Sequence, residues 1–514
     1  MSLAIVHSRA ISGLFALPVR VEADLANGLP QFSIVGLPDA AVREARDRVR
    51  AAITNSGFEF PQRRVTVNLA PADLPKDSGR FDLPIAIGIL AASGQIASRH
   101  CNQILQSHEF VGELSLTGNL LAVRGAFALA MGVINGAEKN GCLVLPSANQ
   151  EEASLTESDQ LQFAACLRDV TDFLQKGTPL LGPTKIQQDA LPISERDWSD
   201  IRGQDVAKQA AVIAAAGQHN LLMFGPPGVG KSMIASRLPS LLPRLSKQEA
   251  CELAAIKSLE SAVDSAHWRV PPFRSPHHST PSRAIIGGGQ PIRPGEISLA
   301  HHGILFLDEL PEFSRDALES LREPLETGEV SVARVRHRAQ LPANVMLVAA
   351  MNPCPCGYFG VRHARRICKC SPDRIERYRG KISGPLMDRF DIAIQLSAVD
   401  EHVLRATSSE RQGKTSAEIG ASVMRAREMQ QSRQGKLNSR LSVHEIEQVA
   451  SLQPASETLI QNAARQWGWS ARSWHRVLRV ARTVADLESS QQIALHHVSQ
   501  AIELRRAMDA HLLP

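Results

Sequence analysis

The sequence predicts an α/β protein of three domains, and three observations carry that prediction. At 514 residues the chain is too long for one hydrophobic core, and a prior of roughly 150 residues per domain gives about three units. Strand-like and helical runs alternate over 1–174 and again over 197–399, which indicates two α/β domains. Residues 400–514 show apolar positions at three- and four-residue spacing, which predicts an all-α domain. Residues 175–196 are rich in Pro, Gly, Gln and Thr and are predicted to form a linker.

The elements of each domain follow from the spacing of apolar residues. In the N-terminal domain, strands are predicted at 64–69 and 142–146, with helices at 39–55, 83–92 and 124–138. In the middle domain, helices alternate with short apolar strands, which predicts a parallel sheet covered by helices. These strands are predicted at 221–224, 304–307, 345–350 and 392–396. In the C-terminal domain, helices are predicted at 442–450, 472–487 and 495–510.

Composition restricts the class of protein. Charged residues make up 21% and hydrophobic residues 43%, as in an ordinary soluble protein. The longest apolar stretch, near 83–92, contains Pro84 and is far shorter than the roughly 20 residues of a membrane helix, so no membrane association is expected. The N-terminus lacks the pattern of a secretory signal, and we expect a cytoplasmic protein. Its eight cysteines are then expected to bind metal or to be buried as thiols.

Positive charge is concentrated in one part of the chain. Residues 330–390 contain 12 Lys or Arg residues against three acidic residues, although the whole chain has a formal net charge of only +5. A run of this kind is usually a solvated surface, but it also fits a polyanionic partner other than a nucleotide.

A phosphate-binding loop is the most informative motif of the chain. Gly225-Pro-Pro-Gly-Val-Gly-Lys231-Ser232 matches G-x-x-x-x-G-K-[ST], and it lies between a predicted strand and a predicted helix. Glycines let backbone N–H groups surround phosphates, lysine supplies a positive charge, and a hydroxyl provides one oxygen ligand for Mg²⁺. The sequence therefore predicts ATP and Mg²⁺ as cofactors, bound by Gly225, Pro226, Pro227, Gly228, Val229, Gly230, Lys231, Ser232 and Met233. The alternative is a Gly/Pro turn that happens to end in Lys-Ser.

Two later strands end in residues suited to hydrolysis. The strand at 304–307 is followed by Asp308 and Glu309, which predicts that Asp308 lies near Mg²⁺ with Ser232 and that Glu309 polarises the attacking water. The strand at 345–350 leads to Asn352, whose amide could orient that water. An ordinary strand-end cap is the alternative for Asn352.

The order of these motifs resembles an AAA+ ATPase with a P-loop NTPase fold. More narrowly, Phe273-Arg-Ser-Pro-His-His278, Gly287-Gly-Gly, Arg293-Pro-Gly-Glu-Ile-Ser-Leu-Ala-His301 and Phe306-Leu-Asp-Glu-Leu-Pro-Glu-Phe313 resemble the magnesium-chelatase-like YifB/ComM family over essentially the full chain. The resemblance implies a ring of identical subunits, a hexamer, with ATP at each interface.

The resemblance also assigns residues at that interface. Arg389 matches the arginine finger that reaches the neighbour's γ-phosphate, with an internal salt bridge to Asp388 or Asp391 as the alternative. Arg472 matches the sensor of the helical lid domain, a position for which Arg476 and Arg479 compete. Asn220 is expected to restrain Glu309 until the ring is loaded. Ile201 and Gly203 are expected to line the adenine site.

The N-terminal domain resembles the proteolytic domain of Lon. The resemblance lies in Pro75-Lys-Asp-Ser-Gly-Arg-Phe-Asp82 and Phe110-Val-Gly-Glu-Leu-Ser-Leu-Thr-Gly118. Alignment on these segments places Arg80 at the nucleophilic serine and Phe127 at the lysine. Because an acyl-enzyme needs both a hydroxyl and a base, we expect a Lon-like fold without peptidase activity. Ser78 lies close in sequence and is the residue that could contradict this expectation.

Four cysteines form two C-x-C pairs. Cys354, Cys356, Cys368 and Cys370 could bind Zn²⁺ as four thiolates, and reduced thiols without metal are the alternative. A zinc ion there would order a basic loop that contains Arg362, Arg365, Arg366 and Lys369. The pairs His277–His278 and His301–His302 are better explained by hydrogen bonds or loop contacts near the nucleotide than by metal binding.

A second basic segment predicts the contact with nucleic acid. Residues 328–341 read as two strands around a turn, and the family resemblance places this hairpin at the central pore. Arg334, Arg336 and Arg338 recur with period two and would form a row of guanidinium groups that follows DNA phosphates. A charged hairpin that only keeps a sheet edge soluble is the alternative.

Together the motifs and the resemblance predict a function. The leading hypothesis is an ATP-dependent, ring-forming DNA helicase or translocase that acts on single-stranded or branched DNA, like family members that promote branch migration during natural transformation. The second hypothesis is a motor that remodels a protein partner, as the AAA+ subunit of magnesium chelatase does. An ATP-dependent peptidase is disfavoured by Arg80 and Phe127.

Overall fold

The computed structural model is a mixed α/β protein with a helical C-terminal region, which confirms the predicted class. It describes residues 3–36, 40–72, 74, 76, 79–96, 98–136, 141–185, 197–289, 293–333, 338–360, 367–397 and 413–511. Ser78, Arg334, Arg336, Arg362, Arg365 and Arg366 lie outside these residues. No helix in this part of the chain combines the length and the hydropathy needed to span a membrane.

A seven-stranded sheet forms the N-terminal region. Its strands are β1 Leu3–Ser12, β2 Phe15–Ala26, β3 Gln31–Val35, β4 Arg64–Ala70, β5 His108–Phe110, β8 Cys142–Pro146 and β9 Leu161–Ala164, and β6 Glu113–Leu114 with β7 Leu120–Leu121 forms a separate pair. The sheet order is β3-β4-β2-β1-β5-β8-β9, with β1–β2 and β2–β4 antiparallel and the other pairs parallel. Its helices are Ala40–Asn55, Asp82–Ala92, Arg99–Ser107, Ala126–Ile134, Gln150–Ser154 and Leu167–Lys176.

The central helix of this region, Asp82–Ala92, is apolar on all sides because it lies between the sheet and the rest of the domain. Gly88 permits its close approach to the sheet, since a Cβ there would lie 3.1 Å from Cβ of Ala23. The first residues of the predicted linker also belong to this region. Leu181 forms a β-bridge with Phe163, and Thr184 N–H donates to Ser154 Oγ.

The middle region contains a five-stranded, all-parallel sheet, as predicted. Its strands are β10 Leu221–Phe224, β11 Phe273–Arg274, β14 Ile304–Leu307, β17 Met346–Met351 and β18 Ile392–Gln395, in the order β11-β14-β17-β10-β18. Every residue of β10, β14 and β17 is buried, which is why these strands are continuous apolar runs rather than alternating ones. Two short hairpins accompany the sheet: β12 Gly287–Gly288 with β13 Arg293–Pro294, and β15 Glu329–Ala333 with β16 Arg338–Pro342.

Helices cover both faces of this sheet. In the middle region they are Asp205–Gly217, Lys231–Arg237, Lys247–Ser258, Ser282–Ile286, Glu296–Leu299, Arg315–Ser320, Arg322–Thr327, Pro372–Arg379 and Gly384–Met387. In the C-terminal region they are Ser416–Gln434, Val443–Val449, Pro454–Trp467, Ala471–Leu487 and Leu495–His511.

Buried polar bonds fix the C-terminal helices to the middle region. Arg427 donates to the carbonyl of Ala215 at 2.7 Å, and Thr483 Oγ1 lies 2.7 Å from His219 Nε2. Ala215 belongs to the helix Asp205–Gly217, and His219 lies between that helix and β10. The helical region is therefore attached directly to the strand that carries the phosphate-binding loop.

The N-terminal and middle regions share a small apolar core. Phe127, which is fully buried, packs with residues of the Lys247–Ser258 helix and its surroundings. This cluster comprises Phe127, Leu155, Leu245, Ala250, Leu253, Ala254, Val263 and Trp268. Gly125 N–H also donates to the carbonyl of Ser258 at 2.7 Å, so apolar packing and a backbone hydrogen bond both join the two regions.

Candidate functional site: a nucleotide site and a distant arginine cleft

The phosphate-binding loop connects β10 to the helix Lys231–Arg237. Gly228 has φ 81° and Gly230 has φ 100°, and both sites would leave an added Cβ in open space, so backbone conformation rather than crowding requires glycine there. Gly225 is constrained differently, because a Cβ would collide with the carbonyl oxygen of Leu396 at the end of β18. The loop therefore presents its backbone N–H groups at the carboxyl end of β10.

Lys231 lies beneath this loop and is only 8% exposed. Its ammonium group donates to the carbonyls of Gly225 and Pro226 at 2.6 and 2.9 Å, and to Asn352 Oδ1 at 3.1 Å. Burial lowers the pKa of Lys231 to about 8, and the charges of Asp308 and Glu309 oppose that shift. The structure thus brings the predicted lysine and the predicted Asn352 into direct contact.

The predicted magnesium ligands are also adjacent. Ser232 Oγ donates to Asp308 Oδ2 at 2.7 Å, so a hydroxyl and a carboxylate from two different elements meet at one point. Both are hard oxygen donors of the kind that Mg²⁺ binds. Glu309 follows with φ 52°, a strained backbone value for a non-glycine residue, and its N–H donates to Asp308 Oδ1 at 2.9 Å.

The predicted restraint of Glu309 by Asn220 is wrong. Asn220 precedes β10, whereas Glu309 follows β14 at the opposite end of the sheet, roughly four residues or 13 Å further along the strand direction. Its side chain accepts from Leu347 N–H and donates to the carbonyl of Arg389, both at 2.8 Å, and so joins strands at their amino ends. Glu309 instead contacts His278, whose Nδ1 lies 3.3 Å from Glu309 Oε2.

The segment predicted to line the adenine site lies beside the phosphate-binding loop. Ile201 is 3% exposed and Gly203 has φ 62°. The next residue, Gln204, donates its amide to the carbonyls of Val229 at 3.1 Å and Ser397 at 2.7 Å, which ties this segment to the loop and to the chain after β18. Met233 is 44% exposed on the first turn of the following helix.

Arg389 and Arg472 lie together in a different place. Arg389 Nη2 donates to Glu326 Oε2, and Arg472 Nη2 lies 3.8 Å from Glu326 Oε1. Both arginines line a cleft of about 530 Å³ at the amino end of the sheet, away from their own phosphate-binding loop. The internal ion pair that was the alternative for Arg389 therefore exists, but its partner is Glu326 rather than Asp388 or Asp391.

The four predicted metal ligands converge. Cys354 Sγ lies 3.3 Å from Cys356 Sγ and 3.7 Å from Cys368 Sγ, and all four sulfurs lie within 4.8 Å of one another. The segment that carries Cys354 and Cys356 also packs against the phosphate-binding loop, because a Cβ on Gly357 would lie 2.6 Å from Cδ of Pro227. The cysteine cluster is thus adjacent to both Asn352 and the phosphate-binding loop.

The basic hairpin and the N-terminal residues take the following positions. Strands β15 and β16 form the predicted antiparallel hairpin. Arg338 is the first residue of β16 and is paired with Ala333. The row of arginines stays a prediction, since Arg334 and Arg336 lie outside the described residues. Arg80 is 6% exposed and Phe127 is fully buried in the core shared between regions.

The histidine pairs are held by acidic and backbone groups. His301 Nδ1 accepts from Asn344 N–H at 3.0 Å, which places its proton on Nε2, facing Glu252 Oε2 at 3.4 Å. His302 Nε2 lies 2.8 Å from the same carboxylate oxygen. His277 Nδ1 lies 2.8 Å from Ser279 Oγ. A proton on His301 Nε2 disfavours metal binding at that atom.

Family comparisons cover most of the chain. The family described as magnesium chelatase, subunit ChlI, matches residues 197–404. The family described as subunit ChlI of Mg-chelatase matches residues 21–149, and the one described as magnesium chelatase, subunit ChlI C-terminal, matches residues 413–505.

Relatives match along the full length. The chain is similar to Competence protein ComM of Haemophilus influenzae, with 46% identity over 510 residues that cover 98% of each chain. It is similar to YifB of Salmonella typhimurium, with 45% identity over 514 residues, 100% of this chain and 99% of the relative. A partial match is the magnesium-chelatase 38 kDa subunit of Cereibacter sphaeroides, 28% identical over 177 residues, 30% of this chain and 52% of that one.

Proposed function

This chain belongs to the YifB/ComM family of magnesium-chelatase-like proteins, and we propose that it is an AAA+ ATPase that works as a ring-forming DNA helicase. Its substrate is single-stranded or branched DNA, and its task is branch migration while incoming single strands are integrated in natural transformation. The competence assignment of the Haemophilus influenzae relative supports that setting. The observation that carries the ATPase is the contact of Lys231 with Asn352 and of Ser232 with Asp308 around one loop.

The residues of the nucleotide site take distinct parts in hydrolysis. Lys231 exchanges its two carbonyl acceptors for phosphate oxygens, which are better acceptors because they are charged. Ser232 and Asp308 would hold Mg²⁺, which neutralises charge on the phosphates when bound. Glu309 accepts a proton from the attacking water, and Asn352 orients that water. Ile201 and Gly203 contact the adenine.

Hydrolysis between subunits explains why the arginines lie elsewhere. Arg389 and Arg472 are at the amino end of the sheet, so a phosphate at the carboxyl end of the same sheet is out of their reach. In a ring of identical subunits, here a hexamer, this cleft faces the loop of the neighbour. Both arginines then stabilise the charge that develops on the neighbour's γ-phosphate.

Basic residues supply the contact with DNA. Arg338 begins strand β16 of the hairpin, and Arg334 and Arg336 precede it in the sequence at a spacing of two residues. Arginines of this kind bind the phosphates of DNA and do not contact the bases, so the affinity for DNA falls steeply as the salt concentration rises.

The cysteine cluster fits zinc. A tetrahedral ion with Zn–S bonds of about 2.3 Å separates its sulfurs by about 3.8 Å, and the sulfurs of Cys354 and Cys368 are 3.7 Å apart. Cys354, Cys356, Cys368 and Cys370 would hold the ion, and its chemistry there is structural. It would fix the loop whose Gly357 packs on Pro227.

The N-terminal region has a Lon-like fold without peptidase activity. Arg80 and Phe127 stand where a serine and a lysine would be needed, and Phe127 is committed to packing against the middle region. The region thereby contributes to assembly rather than to proteolysis.

The test is ATP turnover with and without single-stranded or forked DNA, over a range of salt concentrations. We expect DNA to accelerate turnover, with binding that weakens as salt rises, and ATP to drive strand displacement. Arg338→Ala should lower DNA affinity and spare basal turnover, whereas Arg465→Ala, an exposed arginine of the C-terminal region, should change neither. Turnover that ignores DNA of every form would refute the helicase.

A motor that remodels a protein is the second candidate. The observation that favours it is the similarity to the 38 kDa subunit of magnesium chelatase. Turnover without any response to DNA, together with loss of turnover in Glu309→Gln, would support this candidate instead.

A further inference from the structure

The arginine cleft contains more positive than negative charge. Among the residues that the structure describes, five arginines line it, namely Arg389, Arg440, Arg472, Arg476 and Arg479, and the lining carboxylates are Glu326 and Asp391. Asp391 is committed to the fold, because it accepts from Asn220 N–H at 3.0 Å and lies 3.8 Å from Arg476. Glu326 is therefore the carboxylate that is free to leave its partner.

Glu326 is the shared partner of the two arginines expected at the neighbour's phosphate. Its side chain is 55% exposed, whereas that of Arg389 is only 10% exposed. Arg389 Nε is buried and has no hydrogen-bond partner among the described residues, so Glu326 satisfies this guanidinium only in part. A phosphate offers three charged oxygens and would compete with the carboxylate for the same donors.

Glu326 is also directly connected to the basic hairpin. It lies in the last turn of the helix Arg322–Thr327, which Gly328 ends with φ 76° and an N–H bond to the carbonyl of Pro324 at 2.8 Å. Strand β15 begins at the next residue, and Ala343 N–H after β16 donates to the carbonyl of Gly328 at 2.7 Å. A Cβ on Gly328 would collide with Asn344 Oδ1, so this junction has no spare room. Glu326 and the hairpin are therefore joined by one short, closely packed segment of backbone.

We propose that Glu326 couples the nucleotide of one subunit to the hairpin of the next, by giving up Arg389 and Arg472 to the neighbour's terminal phosphate. This inference rests on the proposed function, hydrolysis between subunits. In the subunit without DNA, the Glu326 carboxylate is paired with both arginines and competes for them with the neighbour's terminal phosphate. When DNA moves the hairpin, Glu326 is withdrawn and the arginines are released to the phosphate. Glu326 is a positioning residue that acts through the two arginines.

The experiment compares Glu326→Gln with Glu323→Gln, which changes an exposed carboxylate one turn earlier on the same helix and outside the cleft. ATP turnover is measured with and without a single-stranded oligonucleotide, and assembly with a non-hydrolysable ATP analogue is measured by sedimentation. We expect Glu326→Gln to raise turnover without DNA about fivefold, the factor that corresponds to an ion pair of about 1 kcal/mol. We expect it to lose most of its stimulation by DNA and to assemble at lower protein concentration, while Glu323→Gln behaves as the wild type.

Different results overturn different claims. If Glu326→Gln loses turnover and assembly together, with thermal unfolding unchanged, Glu326 holds the arginines in their active positions and the exchange is wrong. If it matches Glu323→Gln in every measurement, Glu326 has no part in coupling. The wild-type protein alone decides the proposed function: absence of turnover at every protein concentration, or turnover without assembly, refutes hydrolysis between subunits independently of either variant.

Discussion

The buried lysine of the phosphate-binding loop leads to a quantitative prediction on nucleotide affinity. Lys231 has a pKa of about 8 in the nucleotide-free protein because it is buried. Phosphate binding needs the protonated form, which is about 90% populated at pH 7 and about 10% at pH 9 for that pKa. The sign follows directly: the charged lysine is present below the pKa and lost as pH rises through it. Affinity for a triphosphate should therefore fall about tenfold between pH 7 and pH 9, or about 1.4 kcal/mol.

The assay is titration with a fluorescent ATP analogue at pH 7, 8 and 9, at constant ionic strength. Lys231→Arg is the matched variant, since its guanidinium stays charged over this range while every other titrating group is retained. Its affinity should be weaker but nearly independent of pH. Calorimetry in two buffers of different ionisation enthalpy should show uptake of about one proton per bound nucleotide at pH 9 in the wild type. An equal affinity of the wild type at pH 7 and pH 9, without proton uptake, would refute the reasoning.

Three further predictions concern the rest of the structure. Burial raises the pKa of Glu152 to about 7 from 4.5, so the stability of the wild type should fall as pH rises from about 4.5 to 7. Thermal unfolding should therefore show Glu152→Gln to be more stable than the wild type at pH 8, by up to about 3 kcal/mol, and equally stable at pH 4.5. Phe127→Ala should destabilise the contact between the N-terminal and middle regions by about 3 to 5 kcal/mol, visible as earlier proteolytic separation of the two, whereas Phe127→Leu should be milder. Cys368→Ser should lower bound zinc, measured by elemental analysis; a zinc content near zero in both wild type and variant would contradict a zinc site.

Local patterns predicted the central strands of the middle region and the position of the loop between β10 and the helix Lys231–Arg237. The strands β10 and β14 are short runs of four buried apolar residues, and their bounds match the prediction because Gly225 ends the first run and Asp308 ends the second. The hairpin β1–β2 is not among the predicted elements, although apolar and polar residues alternate along β2, with Val19, Val21, Ala23 and Leu25 buried in turn. That alternation was the signal that could have found it.

Contacts between distant parts of the chain were not predictable. The predicted parallel sheet could have excluded the contact of Asn220 with Glu309, because Asn220 precedes its strand whereas Glu309 follows another. The actual partners of Asn220, Leu347 and Arg389, could not be predicted because they lie far away in the chain. Gln204 and Glu326 belong to no motif, and their importance comes from partners far away in the chain. His278 ends the motif Phe273-Arg-Ser-Pro-His-His278, yet only the folded loop shows that it faces Glu309. Chemistry at a strand end can be inferred locally, whereas pairing across a cleft requires the fold.

The apolar core around Phe127 has a mechanical consequence. It fastens the N-terminal sheet to the helix Lys247–Ser258 through side chains that exclude water, with the Gly125–Ser258 hydrogen bond beside them. The N-terminal region is consequently not joined to the middle region by a flexible linker alone. Any displacement of that helix would therefore carry the N-terminal sheet with it as one body.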